Sequence, residues 1–294
     1  MRIAAEVERA IAQRKRDGTS GTTNARMLAS GDGWRVADVI CTSGPQDRPF
    51  QESHDYYAVA LVASGTFQYR SGNTESLLTP GSLMLGNAGQ CFECGHQHAV
   101  GDRCLAFWYT PEFLEEVAAG VGVSGPRLEF ANLSVPPVRV LSPLFSRACA
   151  GLLGSSSVDW HELGVALAGH SLLLAAGLSG EDGIPPGARD RVTRAVRAIE
   201  GDLEGTLTLD RLADESRLSR FHFLRTFERL TGLTPHRYIL RARLRHAAMR
   251  LECDEERVLD IALDSGFGDV SNFNRAFRAE FGISPRAYRR QATR

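Results

Sequence analysis

The stretch LDRLADESRLSRFHFLRTFERLTGLTPHRY (residues 209–238) returns fifty residues later as LDIALDSGFGDVSNFNRAFRAEFGISPRAY (residues 259–288). Identical residues recur at this spacing: Leu209 and Leu259, Phe223 and Phe273, Arg225 and Arg275, Phe227 and Phe277, Gly232 and Gly282, Pro235 and Pro285, and Tyr238 and Tyr288. Each copy predicts a short helix, a turn, and a second helix that begins after Ser219 or Asp269 and ends before a glycine. The repeat therefore predicts two helix-turn-helix units in one chain.

The charge of the chain is divided unequally along its length. The 294 residues carry a net charge of −1, and the 43% hydrophobic content excludes a disordered tail. Residues 189–294 hold 21 arginines against 16 acidic residues, whereas residues 1–188 hold 13 basic residues against 19 acidic ones. The planar guanidinium group of arginine suits phosphate and guanine edges. The C-terminal part is therefore suited to a polyanion.

The N-terminal part alternates short apolar runs with turns, as in YYAVALVASGTFQYR (residues 56–70). This pattern predicts a β-sandwich or barrel over residues 35–110. Later apolar residues recur at helical spacing, as in VDWHELGVALAGHSLLLAAGL (residues 158–178). Two interpretations of these helices stay open, since they would pack either on the barrel or against a second copy of the chain. We expect a homodimer through the helices between Val138 and Leu178.

The turn-rich stretch SGEDGIPPGA (residues 179–188) separates the two parts. We predict an N-terminal arm or helix, an effector domain, a helical linker with the dimerisation surface, and a DNA-binding domain, at residues 1–34, 35–112, 113–184 and 185–294. The apolar runs fall short of the roughly 20 residues of a membrane span, and the N-terminus has no secretory pattern. We therefore expect a cytoplasmic protein that does not act at a membrane.

The second helix of a helix-turn-helix presents its N-terminal half to base edges in the major groove. Helical spacing places Phe223 and Phe227 inward in the first unit. The outward residues, which we predict to contact DNA, are Arg220, Phe221, Leu224 and Arg225 in the first unit and Val270, Ser271, Asn272, Asn274 and Arg275 in the second. Asparagine and arginine suit adenine and guanine, while phenylalanine and leucine suit the thymine methyl group. The alternative is that Arg225 and Arg275 form internal ion pairs or contact only phosphate.

Two segments, LDRLADESRLSRFHFLRTFERLTGLTPHRYILRARLRHA and DIALDSGFGDVSNFNRAFRAEFGISPRAYRR, resemble the AraC/XylS family of bacterial transcription regulators. The resemblance covers residues 190–291. It implies two helix-turn-helix units joined by a long helix, here Pro235 to Leu251, which carries Arg241, Arg243 and Arg245. It also implies a double-stranded DNA operator read in successive major grooves about 34 Å apart, together with contact with RNA polymerase. Whether the protein is an activator or a repressor stays open. The sequence departs from the family at Phe223, where leucine is common, and at Leu224, where many relatives are polar.

The N-terminal part resembles the cupin-like effector domain of the same family through HDYYAVALVASGTFQYR and LLTPGSLMLGNAGQCFECGHQH. The implied fold is multidomain α+β, with a cupin-like β-barrel, following helices and an all-α C-terminal domain. The resemblance also implies a small effector inside the barrel. The aromatic and imidazole residues that would line its mouth are His54, Tyr56, Tyr57 and Trp108. Ordinary core packing is the alternative for each of them.

The segment CFECGHQH (residues 91–98), followed by Cys104, is rich in metal-binding residue types. Six cysteines without an export signal favour reduced thiols or metal ligands over disulfides. An extended segment would place alternate residues on one face. The predicted ligands of a zinc or copper ion are Cys91, Cys94, His96, His98 and Cys104. Structural packing and a redox-sensing thiol are the alternatives.

These observations favour a sequence-specific DNA-binding transcription regulator, controlled by a small organic molecule or a metal, over an enzyme. The alternative is a cupin-type metalloenzyme or a DNA-repair alkyl transferase fused to a DNA-binding domain. The segment CFECGHQH lacks the histidine and glutamate set of the former and the cysteine motifs of the latter. A third hypothesis is an N-terminal domain that serves only for dimerisation.

Overall fold

A computed structural model describes residues 2–123, 128–154, 158–175, 187–205, 207–253 and 255–292. The N-terminal part begins with a helix and continues with strands, which are α1 (Arg2–Asp17), β1 (Thr23–Gly31), β2 (Trp34–Cys41), β3 (Phe50–Ser53), β4 (Tyr57–Gly65), β5 (Phe67–Ser71), β6 (Thr74–Leu78), β7 (Leu83–Gly86), β8 (Cys91–Gly95) and β9 (Asp102–Tyr109). A helical region with one short strand follows, with α2 (Pro111–Gly120), β10 (Ser134–Val135), a 3-10 turn (Arg139–Leu141), α3 (Ser142–Leu152) and α4 (Trp160–Ala175).

The C-terminal part of the described residues is helical, with α5 (Ala188–Gly201), α6 (Leu209–Glu215), α7 (Arg220–Thr231), α8 (Pro235–Cys253), α9 (Val258–Asp264), α10 (Val270–Phe281) and α11 (Pro285–Ala292). The predicted domain boundary after residue 184, Leu178 and most of the stretch 179–188 lie outside the described residues. Within the described residues, no helix has both the length and the apolar character needed to cross a membrane.

The predicted β-rich domain is confirmed, with two corrections: its first strand, β1, lies within residues 1–34, which were predicted to be an arm or helix, and its sheets do not close into a barrel. Its antiparallel strands form a six-stranded sheet in the order β1-β2-β9-β4-β7-β10 and a four-stranded sheet in the order β3-β8-β5-β6. The expected closed barrel is not formed, because in the described residues the edge strands of one sheet make no ladder with those of the other. The domain is a sandwich of two sheets with side chains between them.

The central strands β4 and β9 of the six-stranded sheet are buried on both faces. On one face, Val59, Leu61 and Phe107 pack against the helices, and on the other, Val62 and Ala106 pack against the smaller sheet. Alternating side chains are therefore buried in both directions, which explains the continuous apolar run of β4. Helices α3 and α4 contribute to the first of these cores, so they pack on the sheet. Pairing with a second copy of the chain stays a prediction.

The two helix-turn-helix units form as predicted, with α6 and α7 in the first and α9 and α10 in the second. Phe223 and Phe227 are fully buried, as are Phe273 and Phe277 at the equivalent positions. Helices α7 and α10 both end at a glycine in the left-handed conformation, with φ of 68° and 80°. The long helix α8 contributes to the cores of both units and so fixes them relative to each other.

The DNA-binding part lies against the N-terminal part along α8. Arg245 is buried there, with Nη2 3.0 Å from Glu200 Oε1 and its guanidinium carbon 5.3 Å from the ring centre of Phe145 on α3. Leu77 of β6 belongs to the core of the first helix-turn-helix unit, and Met249 of α8 belongs to the core beneath the six-stranded sheet. The two parts therefore share side chains across their contact.

Candidate nucleic-acid interface and effector sites

Of the four residues predicted to contact DNA in the first unit, three are exposed and one is half-buried. Helix α7 begins at a cap in which Ser219 Oγ accepts the backbone N–H of His222. Phe221 is 66% exposed, and Arg220 and Arg225 are also exposed, whereas Leu224 is half-buried. The Arg225 guanidinium carbon lies 5.7 Å from the ring centre of Phe221. Arg220 is paired with Asp210 of α6. The outward face of α7 is therefore mainly aromatic and cationic.

The second unit presents a more polar face. Helix α10 begins at a cap in which Asp269 Oδ1 accepts the backbone N–H of Asn272 at 2.7 Å. The exposed residues of the predicted set are Ser271, Asn272, Asn274 and Arg275, and Val270 is half-buried. Arg275 Nη2 donates to Asn272 Oδ1 at 3.1 Å, which orients the two side chains together. Several donors that match base edges therefore lie on one exposed helix face.

An arginine-rich groove adjoins the outward face of α10. Its arginines come from α10, α11 and the residue before α9, and they are Arg257, Arg275, Arg278, Arg286, Arg289 and Arg290. Of these, only Arg275 was among the predicted contacts. The recurrence of arginine on α10 and α11 is a signal that a helical projection of both helices would have found. The groove adds phosphate-binding capacity next to the exposed amide side chains.

The linking-helix arginines are engaged within the protein. Arg241 Nη1 donates to Pro137 O at 2.9 Å, and Arg243 Nε donates to Leu203 O at 2.9 Å. Arg245 pairs with Glu200, as described above. These arginines therefore stabilise the packing of α8 in the structure.

The predicted effector residues fall into three separate places. Tyr56 and Trp108 come together around Arg35, whose guanidinium carbon lies 4.9 Å and 5.0 Å from their ring centres. They line a small open cavity of about 220 Å³, together with Trp34 and Thr110 among others. Arg35 Nε is buried and has no hydrogen-bond partner among the described residues. This cavity therefore combines two aromatic rings with an unsatisfied cationic donor.

His54 and Tyr57 do not line that cavity, because their polar atoms are hydrogen-bonded elsewhere. His54 Nε2 shares a hydrogen bond of 2.7 Å with Tyr69 Oη, and its ring stacks on Phe92 at a centroid distance of 4.1 Å. Burial lowers the pKa of His54 to about 4, so the imidazole is neutral near pH 7. Tyr57 Oη donates to Leu128 O at 2.5 Å. Core packing thus accounts for both residues.

The predicted cysteine and histidine ligands do not come together as one set. The alternation of side chains between two faces required an extended segment through His98. It is wrong beyond Gly95, because β8 ends there and His96 and His98 lie in the connection that follows. Cys91 is exposed at the start of β8, whereas Cys94 and Cys104 are buried between the sheets. Burial raises the pKa of the Cys94 and Cys104 thiols well above the ordinary value.

His96 instead lies with two residues that sequence reasoning missed, Cys41 and Asp102. His96 Nε2 is 2.6 Å from Asp102 Oδ1, and one donor atom from each of the three residues lies within 4.8 Å of the others. Burial alone would lower the pKa of His96. Hydrogen bonding to Asp102 and to the neighbouring Cys41 outweighs burial and raises this pKa to about 10. Burial alone would raise the pKa of the Cys41 thiol, but the proximity of His96 lowers it. Strand pairing creates this cluster, since Cys41 faces Asp102 in the register of β2 and β9.

The fold and these surfaces define a class of protein with a ligand-binding β domain and a double helix-turn-helix domain. Residues 38–176 match the AraC-like ligand binding domain, and residues 212–291 match a helix-turn-helix domain. The chain belongs to the AraC family of DNA-binding transcriptional regulators.

Similar proteins are known from several bacteria. The chain is 38% identical over 91 residues to the HTH-type transcriptional activator AarP of Providencia stuartii, a match that covers 31% of this chain and 67% of AarP. It is 28% identical over 206 residues to the HTH-type transcriptional regulator MtrA of Neisseria gonorrhoeae, covering 68% of this chain and 65% of MtrA. The chain thus spans about two thirds of the length of each relative.

A crystal structure of the DNA-binding domain of AdpA in complex with a target DNA has 29% sequence identity with this chain. That match covers 34% of this chain and 91% of the AdpA domain, with a TM-score of 0.34. AarP is described as a transcriptional activator and MtrA as a transcriptional regulator.

Proposed function

We propose that this chain binds a double-stranded DNA operator through α7 and α10, and that a small effector in the N-terminal domain controls this binding. The observation that carries the proposal is the exposed, base-compatible face of each recognition helix above a pair of fully buried phenylalanines. The buried pair holds each helix in place, so its outward side chains are free to contact DNA.

The two units would read DNA by different contacts. On α10, Asn272 and Asn274 would recognise adenine and Arg275 would recognise guanine, since their amide and guanidinium groups match those base edges. On α7, Phe221 and Leu224 would contact thymine methyl groups, with Arg220 and Arg225 at their sides. The adjoining arginine groove of α10 and α11 would neutralise phosphates, so binding should weaken steeply with salt.

The DNA proposal is tested with an operator selected from random duplexes by the full-length protein. Fluorescence anisotropy then compares the parent with Arg225→Ala/Arg275→Ala, which should bind the selected operator at least about 10-fold more weakly. Arg9→Ala, which removes an exposed arginine of α1 far along the chain, is the control and should bind like the parent. Equal losses in both variants would mean that net charge, and not recognition, drives the binding.

For the effector we propose a small organic anion bound at Arg35, Tyr56 and Trp108. A carboxylate would pair with the guanidinium group of Arg35, and the aromatic rings would contact the apolar part of the ligand. A volume of about 220 Å³ lies below the roughly 300 Å³ where cavities for drug-sized ligands begin. The ligand class is therefore small.

The effector proposal is tested by the thermal unfolding of the full chain with a panel of small carboxylic acids and their amides. At least one acid should raise the unfolding temperature of the parent, and its amide should do so less. Arg35→Gln should lose the shift, while Arg70→Gln, an exposed arginine on the other sheet, should keep it. A shift retained in Arg35→Gln would place the ligand elsewhere.

A bound effector would influence the DNA-binding part through the contact between the N-terminal and C-terminal parts. Glu280 of α10 accepts Ser142 Oγ at 2.5 Å and lies 3.3 Å from Arg241 Nε, and Arg241 in turn donates to Pro137 O. This network joins the recognition helix to the segment that follows the β domain. An effector would control DNA binding if it favoured one arrangement of this contact over another.

We further propose a homodimer through the helices after the β domain. Most apolar side chains of α3 and α4 are buried within the chain, but Leu173 of α4 is 52% exposed. Leu173→Glu should shift a dimeric protein toward the monomer in analytical ultracentrifugation, and an unchanged dimer would exclude this surface.

On DNA we propose that the protein activates transcription by RNA polymerase. The support is the relative AarP, which is a transcriptional activator. Transcription in vitro from a promoter carrying the selected operator should rise when the protein is added. A fall in transcription would instead identify a repressor.

A further inference from the structure

A buried cluster of three different ligand types lies at one end of the β sandwich. Cys41 ends β2, His96 follows β8, and Asp102 begins β9. They are 4%, 5% and 5% exposed, respectively. A thiol sulfur, an imidazole nitrogen and a carboxylate oxygen lie within 4.8 Å of one another. Three separate segments thus converge on one small volume.

We propose that Cys41, His96 and Asp102 bind one divalent cation of the zinc type. Zinc accepts sulfur, nitrogen and oxygen ligands together, whereas calcium and magnesium select oxygen ligands. Three protein ligands leave a fourth tetrahedral position for water or a further ligand. The spacing of the donor atoms is close enough for a small movement to bring them around one ion.

The surroundings of His96 support a ligand role. Apart from the neighbouring Cys41 thiol, which is itself one of the proposed ligands, its buried Nδ1 atom has no hydrogen-bond partner among the described residues, although a buried polar atom normally has one. Its ring stacks on Phe67 at a centroid distance of 6.0 Å, and Cys104 Sγ donates to Asp102 Oδ2 at 3.3 Å. The histidine and the carboxylate are therefore held in place by a surrounding layer, as metal ligands are.

The cluster also lies next to a contact with the DNA-binding part. His98, two residues beyond His96, has Nδ1 3.4 Å from Asp190 Oδ1 at the start of α5. A cation on His96 and Asp102 would fix both ends of the connection between β8 and β9, which carries His98. Metal occupancy would then alter the contact with α5. This coupling step rests on the proposed function, whereas metal binding itself does not.

The cation site lies far from the anion cavity proposed above. In the pairing of β2 with β9, Cys41 faces Asp102 at one end and Arg35 faces Trp108 near the other. Six residue steps separate the two pairs, which is about 20 Å along a strand. A metal at Cys41 would therefore act at a different end of the sandwich from an organic anion at Arg35.

The proposal is tested with cobalt(II) and zinc(II) added to the full-length protein purified without an affinity tag. One cobalt per chain should bind and produce a thiolate-to-cobalt absorption band, and zinc should displace it. Cys41→Ser should abolish the band, and Asp102→Asn should weaken binding by at least about 10-fold. Cys91→Ser removes the exposed cysteine and is the matched control, so it should retain both.

Circular dichroism and the unfolding temperature of each variant show whether it folds. If Cys41→Ser does not fold, Asp102→Asn decides, because it keeps every cysteine and should still weaken cobalt binding by at least about 10-fold. Absence of the band in the folded parent, or its persistence in a folded Cys41→Ser variant, would overturn the metal site.

Operator binding is measured separately, with and without zinc. Zinc should change the affinity of the parent, and Asp190→Asn should reduce that change while leaving the cobalt band intact. A parent with the band but an operator affinity insensitive to zinc would overturn the coupling step. Metal binding without any operator binding would instead contradict the proposed function, so the two failures are distinguishable.

Discussion

The two helix-turn-helix units have equivalent interiors and different surfaces. Each has two buried phenylalanines, a side-chain cap on its second helix and a left-handed glycine at the end of that helix. Outward, α7 presents Phe221 beside Arg225, whereas α10 presents Asn272 hydrogen-bonded to Arg275. The repeated residues therefore build the unit, and the residues that differ give the surface of each copy its own chemistry.

The units also differ in what holds their last tyrosine. Tyr238 Oη donates to Glu200 at 3.1 Å, and Glu200 is paired with Arg245 as well. Tyr288 Oη donates to Glu252. Burial raises the pKa of Glu252 to about 7, an effect that Arg147 opposes only in part. The same tyrosine position thus contacts an ion-paired carboxylate in the first unit and a carboxylate that titrates near neutral pH in the second.

The largest expected effect tests whether the interiors are equivalent. Phe223→Ala and Phe273→Ala should each lower the free energy of unfolding by about 3–5 kcal/mol, because each leaves a cavity in a fully buried core. Urea unfolding followed by circular dichroism measures the loss. Phe221→Ala is the control, since its 66% exposed side chain should cost no more than about 0.5 kcal/mol. Very different losses at the two buried positions would break the equivalence.

The next effect tests whether the second unit dominates base recognition. Arg275→Ala should weaken specific operator binding by about 1–3 kcal/mol, because it would remove the bidentate contact that we propose with a guanine. Arg225→Ala should weaken binding to all sequences alike and reduce its salt dependence, as loss of a phosphate contact does. Anisotropy titrations with the selected operator and a scrambled duplex at several salt concentrations separate these results. The reverse pattern would assign base reading to the first unit.

A third experiment measures how the free energy of unfolding depends on pH through Glu252, which contacts the second unit. The pKa of Glu252 is higher in the folded chain than in the unfolded one, so the folded state binds more protons between pH 4.5 and about 7. The free energy of unfolding should therefore fall as pH rises through this range, by on the order of 2 kcal/mol. Glu252→Gln should flatten this part of the stability profile, measured by urea unfolding at each pH. A profile as steep as that of the parent would rule out Glu252 as its source.

The smallest effect distinguishes the two glycines. Alanine at Gly282 would have a left-handed φ but no atom within 4 Å of its Cβ, so Gly282→Ala should cost about 1 kcal/mol. At Gly232 the same Cβ would lie 2.5 Å from Cβ of Pro136, so Gly232→Ala should cost more than Gly282→Ala. Thermal unfolding measures both variants. Equal costs would show that the contact between the first unit and Pro136 yields without strain.

Much of the DNA-binding part was predictable because its signals are local. The inward positions of Phe223 and Phe273, the caps at Ser219 and Asp269 and the exposure of Arg275 follow from the 3.6-residue period and from capping chemistry. The arginine groove was missed because it combines residues from several helices.

The β domain was predicted less completely. Its strands and the pairing of Tyr56 with Trp108 could be predicted from the sequence. The division into two sheets and the involvement of Arg35 could not. The ligand cluster shows the reason most clearly. CFECGHQH looks like a set of ligands in sequence, yet only His96 joins Cys41 and Asp102.

The repeated helix-turn-helix units, the β character of the N-terminal part and the family all follow from local sequence patterns. The tertiary structure decided that α8 lies against α3, that Arg245 is buried at this contact, and that Cys41, His96 and Asp102 meet. Helix period, caps and turns act between residues a few positions apart, so they are visible in the chain. Cys41 and Asp102 are neighbours only through the register of β2 and β9, which depends on how the whole sheet buries its side chains.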